Sequence, residues 1–131
     1  MSTLSATVDA VSLVSECPTG VGSATYGVRR VYLLSCSFAT YASTDNAKIA
    51  NVAATIAAAV RDGRTYTWGA NAVQALCAGP GTDTAGQAVY AGTFAVSTND
   101  VTFNLTDATG TELSSATASS GVQVLVAVDA L

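Results

Sequence analysis

Residues 121–131, GVQVLVAVDAL, place valine at 122, 124, 126 and 128. A two-residue period gathers those four side chains on one side of an extended chain, whereas a helical period would scatter them around the axis. The segment is therefore expected to be a strand, and a strand needs neighbours. The run VRRVYLLSCSFATY (28–41) supplies one. Val28, Tyr32, Leu34, Cys36 and Phe38 share one face, with Val31, Leu33 and Ala39 on the other. Apolar residues on both faces predict an interior strand covered on each side.

The rest of the chain is read around this pair. Residues 4–15, β-branched and polar by turns, form a first strand, and 16–27 have loop composition with Pro18, Gly20, Gly22 and Gly27. In 46–61, Ile49, Val52, Ile56 and Val60 recur at helical spacing. Asp45 or Thr44 can accept the first N–H groups there, and Gly63 can take the left-handed position after the end. RTYTWGA (64–70) reads as a short strand, and 71–86 as a loop with one helical turn over 72–77. Residues 88–106 read as a hairpin turning at Asn99 and Asp100, and 107–121 as a loop or weak edge. The expected fold is α+β: a mostly antiparallel β-sheet or sandwich with one main α-helix at about residues 46–61. A chain of 131 residues fits a single domain, 1–131, with residues 1–15 able to run extended.

The chain contains no histidine. Ser-His-Asp and Cys-His catalysis and histidine metal sites are thereby excluded. Cys17, Cys36 and Cys77 form no C-x-x-C and read as free, mostly buried thiols. Gly20, Gly22 and Gly27 lead into a strand, where a dinucleotide or phosphate loop leads into a helix. Lys48, the lone lysine, reads as part of an exposed helix face. A net charge of −4, with Arg29, Arg30, Arg61 and Arg64 as the other cations, argues against nucleic acid and against an anionic membrane. No signal peptide is evident at the start. The apolar run Ile49 to Val60 falls short of the roughly twenty residues of a membrane span. The expected setting is therefore the cytosol.

Two chemical readings remain. GTDTAG (81–86) resembles the Asp-Thr-Gly signature of aspartic proteases, short β-rich chains that can dimerise so that two aspartates share a proton. That resemblance implies Asp83 as the catalytic residue. Ala85 stands where the family has glycine, and no later apolar-Gly-Arg element follows, so a surface loop accounts for Asp83 more simply. Trp68, Tyr66, Tyr41 and Tyr90 could form a sugar-stacking platform, although each sits in an apolar alternation suited to packing. Asp100, Asp107 and Glu112 do not match a calcium loop. No catalytic, cofactor-binding or metal-ligating residue is assigned.

Only 11 % of residues are charged while 50 % are hydrophobic, and Ala, Thr, Ser, Gly and Val dominate. A surface of methyls and hydroxyls is expected to be covered in part by another chain. In composition, size and strand–helix–strand layout the chain resembles virion proteins of tailed bacteriophages, most closely the decoration or cement proteins of capsids. The resemblance implies a non-enzymatic subunit of the virion. Its copies, as trimers or dimers, would bind the outside of a finished shell, with the major capsid protein and one another as partners. Contacts are expected along 2–15, 18–27 and 106–121. A carbohydrate- or ligand-binding module and a head–tail or tail subunit are the alternatives.

Overall fold

The computed structural model describes residues 3–19, 27–68 and 75–130. The strands are β1 (Thr3–Ser5), β2 (Thr7–Thr19), β3 (Gly27–Phe38), β4 (Tyr41–Ala42), β5 (Asn46–Ile49), β6 (Tyr66–Thr67), β7 (Ala75–Gly79), β8 (Gly81–Asp83), β9 (Ala88–Val96), β10 (Val101–Thr106), β11 (Ser115–Ala116) and β12 (Ser119–Ala130). The single helix among the described residues, α1, spans Val52–Val60. This is a β-rich α+β fold on a curled ten-stranded sheet, with β4 and β11 as a separate two-stranded pair, and among the described residues every ladder is antiparallel except that of β1 with β5.

The valine-rich C-terminal segment forms β12 at the centre of the sheet. One edge of β12 pairs with β3 over most of its length. Its other edge is shared by three short strands in succession, β8, β7 and β6. Val122, Val124, Val126 and Val128 are fully buried, and so are Tyr32, Leu34 and Cys36 beside them on β3. Phe38 meets Phe103 of β10 edge-on at 5.8 Å, which joins this half of the core to the β9–β10 hairpin. Asn99 and Asp100 lie in the connection between β9 and β10, as their turn chemistry implies.

The sheet curls until its two ends meet on one segment. In the order β1-β5-β10-β9-β8-β12-β3-β2, the first and last strands are consecutive in the chain, separated only by Ala6. Ala6 donates its N–H to the Lys48 carbonyl at 2.8 Å and carries the pairing across the junction. Beyond Thr7 the segment leaves β5 and follows β3 alone, and α1 lies near β2 and β6.

Two local expectations are corrected. The helix begins at Val52: residues 46–49 form β5, held between β1 and β10. Ala47 and Ile49 are buried in strand alternation, so Ile49 belongs to a pleated face, and Lys48 lies on a strand. Asp45 and Thr44 do not cap the helix. The cap position is Asn51, left-handed at φ 47°, and the N–H of Val52 donates to the Asn99 carbonyl. Residues 75–77, read as the end of a helical turn, lie in strand β7 (Ala75–Gly79) on β12. Residues 72–74 of that expected turn, and 20–26 of the glycine-rich loop, lie outside the described residues.

Candidate functional site

Among the described residues, the covering expected on both sides of β3 is present on one side only. Directly opposed residues of paired strands project from the same face. The ladder registers therefore carry one row across four strands: Ser12 of β2, Leu33 of β3, Leu125 of β12 and Leu76 of β7. These positions alternate with the inward Tyr32, Leu34, Val124 and Val126, so the row faces outward. A neighbouring row holds Ser15, Val31 and Ala127. Leu33, Leu125, Val31 and Ala127 are half-buried and Leu76 is 59 % exposed. Among the described residues, no helix or second sheet packs over these rows.

The apolar rows have a polar border at each end. On one side stand Ser35 and Gln123, a directly paired couple. On the other, Arg29 donates from Nε and Nη2 to the two carboxylate oxygens of Asp129 at 3.0 and 3.3 Å. An apolar centre within a polar, charge-balanced rim is the anatomy of a protein contact surface. Val31 and Leu33 are apolar positions for which the sequence predicts cover. The usable signal was the second apolar parity of β3, which the chain's own described elements leave unmatched.

The candidate catalytic and binding residues are held elsewhere by structural roles. Asp83 is buried, and its carboxylate accepts the backbone N–H groups of Gln87 at 2.8 Å, Ala85 at 3.0 Å and Thr117 at 3.2 Å. The Gln87 N–H foremost, then those of Thr117 and Ala85, hold that carboxylate below the usual range against the opposing effect of burial. Asp83 thus ties the β8–β9 turn to the segment before β12. Lys48 pairs with Asp100 at 3.5 Å, and the other Asp100 oxygen accepts the Asn51 N–H at 2.9 Å. Asp107 accepts from Thr109 and Thr111 within its own turn. Among the described residues no cluster of Cys, Asp and Glu could hold a metal ion. No described helix is long and apolar enough to cross a membrane.

The aromatic residues proposed as a sugar platform are dispersed. Tyr41 is fully buried on β4 and donates its hydroxyl to Glu112, while Tyr90 is half-buried on β9. Tyr66 and Trp68 do adjoin, bordering a cleft of about 270 Å³ with Asn51, Thr67 and Asn99. Both are buried, however, and the indole N–H of Trp68 donates to the Asp100 carbonyl at 3.3 Å. Neither ring offers the open face that stacking requires.

The densest polar cluster lies where β2, β3, β6 and the end of α1 converge. The Arg30 guanidinium donates to Glu16 and Asp62, both at 2.6 Å, and to the hydroxyls of Tyr66 at 2.9 Å and Tyr32 at 3.0 Å. Tyr66 in turn donates to Asp62. The Arg30 side chain is only 12 % exposed. Every group in the cluster has a partner, and the arrangement reads as a clasp.

Comparison with protein-family models, with curated proteins and with solved structures returned no match.

Proposed function

We propose that this chain is a non-enzymatic structural subunit that works by surface contact, of the kind that decorates and cements the capsid exterior of a tailed bacteriophage. The observation that carries the reading is the outward apolar row Leu33–Leu125–Leu76 on a sheet patterned for cover on both faces. The residues best suited to chemistry support it further: Asp83, Lys48 and Trp68 are each held in backbone-fixing or packing roles. Weak contacts of small side chains, repeated around a symmetric shell, add into tight binding through avidity.

The test is co-expression with the neighbouring reading frames, followed by gradient sedimentation. The chain is expected to migrate with assembled shells, and Leu76→Asp is expected to leave it at the top of the gradient. A chain that never enters a particle fraction, and instead binds a member of a glycan panel, overturns the reading in favour of a ligand-binding module.

A further inference from the structure

We infer that the outward face is a two-fold contact between copies of this chain, packed sheet on sheet with β3 of one protomer over β12 of its partner. The inference rests on the contact-surface reading above and names the first occupant of that surface.

The register supports a second copy because the face is complementary to itself. Consider a two-fold axis lying between the two stacked faces, parallel to the strands and midway between β3 and β12. Rotation about it exchanges the lateral positions of β3 and β12 and keeps the rows level. Residues paired side by side in one chain then meet one another across the interface. Leu33 meets Leu125 of the partner subunit and Val31 meets Ala127 of the partner subunit, apolar on apolar. Ser35 meets Gln123 of the partner subunit, so hydroxyl faces amide.

The charges agree with this operation. Arg29 and Asp129 are directly paired, so the rotation sets each over the opposite charge of the other copy. Two ion pairs become a four-charge square, with no like charges superposed. An isologous contact requires this self-matching of one patch. The exposed Leu76 is carried over Ser12, next to Leu33, and its apolar surface is covered. Aligned sheets pack about 10 Å apart and rotated by about 30°, so the match is closest at the central leucines and loosens toward the edges.

Sedimentation velocity on the full chain tests this across micromolar concentrations. A monomer–dimer equilibrium is expected. Leu125→Glu, and separately Leu76→Asp, should raise the dissociation constant at least about tenfold while circular dichroism and the melting curve report an intact fold. Arg29→Asp and Asp129→Arg should each dissociate alone, yet form a heterodimer when mixed, because the mixture restores opposite charges across the axis. A monomer at every concentration, a species larger than a dimer, a dimer indifferent to the leucine variants, or a mixture that fails to recombine overturns the inference. A monomer that still sediments with shells removes the two-fold contact and leaves the decoration reading standing. A dimer that never joins a shell does the reverse.

Discussion

Arg30 and Asp62 meet at 2.6 Å, and through this contact the turn after α1 is fastened to β3. The Arg30 guanidinium holds the Asp62 carboxyl below the usual carboxylate range, and the Arg64 N–H and the Tyr66 hydroxyl act in the same direction against burial. A carboxyl whose pKa is lower in the folded chain contributes stability above its unfolded pKa, near 4, and loses it as pH falls through the folded value. Asp62→Asn is expected to lower the melting temperature at pH 7. Its difference from the parent chain should shrink as the pH drops below 4. Calorimetric melts from pH 7 to pH 2 measure both.

Asp83→Asn leaves one oxygen and an amide where three backbone N–H groups need acceptors, and Asp83→Ala leaves none. Buried donors without partners are destabilising, so the melting temperature should fall in the order parent, Asn, Ala. Peptide hydrolysis by the parent chain that is lost in Asp83→Asn would instead reinstate the protease reading.

Gly81 admits no side chain. A Cβ at this position would stand 2.3 Å from the Ser120 carbonyl oxygen and 2.6 Å from the Val122 nitrogen, both backbone atoms. Gly81→Ala must push β8 off β12, at a cost of about 3 kcal/mol or more. Urea unfolding is the measurement.

Thr93 has a left-handed backbone, φ 57°, within β9, where the register with β10 shifts between Thr102 and Asn104. A β-branched residue is strained in that conformation, and its side chain is exposed. Thr93→Gly is expected to stabilise the chain by about 1 kcal/mol, the cost of left-handed backbone outweighing the added freedom of the unfolded glycine. Loss of stability on denaturant unfolding would show the strain to be absent.

Cys36 is fully buried between strands, and burial, followed by the charge of Asp9, pushes its thiol pKa up to about 12. Cys77 is only partly buried. Iodoacetamide at pH 8 should therefore label Cys77 well before Cys36, which reacts at an ordinary rate only after unfolding. Peptide mass spectrometry separates the two sites.

The strands were legible where burial follows a strict two-residue period. The β12 valines, the inward face of β3 and the β9–β10 hairpin all carry it. The start of the helix was not. NAKIAN has helix-compatible residues and an isoleucine in helical step with Val52 and Ile56, yet 46–49 pair with β1 and β10, partners about fifty residues apart in sequence. Local propensity cannot register such a distant choice. ALCAG failed for the same reason, since its strand character comes from β12. The outward leucines were visible as residues, but their exposure depends on what the fold lays over them. Of the expected contact stretches, 2–15 contributes Ser12 and Ser15 to the edge of the face, and the end of 106–121 enters β12 at Ser119.

β12 is the last of the described strands in chain order, and it is the lateral partner of β3, β6, β7 and β8. While the chain is still on the ribosome, β2 and β3 can zip into a hairpin, but four strands then wait with unmatched hydrogen-bonding edges. Completion of this sheet is thus deferred until β12 has emerged. A nascent or truncated chain lacking β12 presents sticky β edges, so truncation before Ser119 should show itself as aggregation before any defect in assembly is seen.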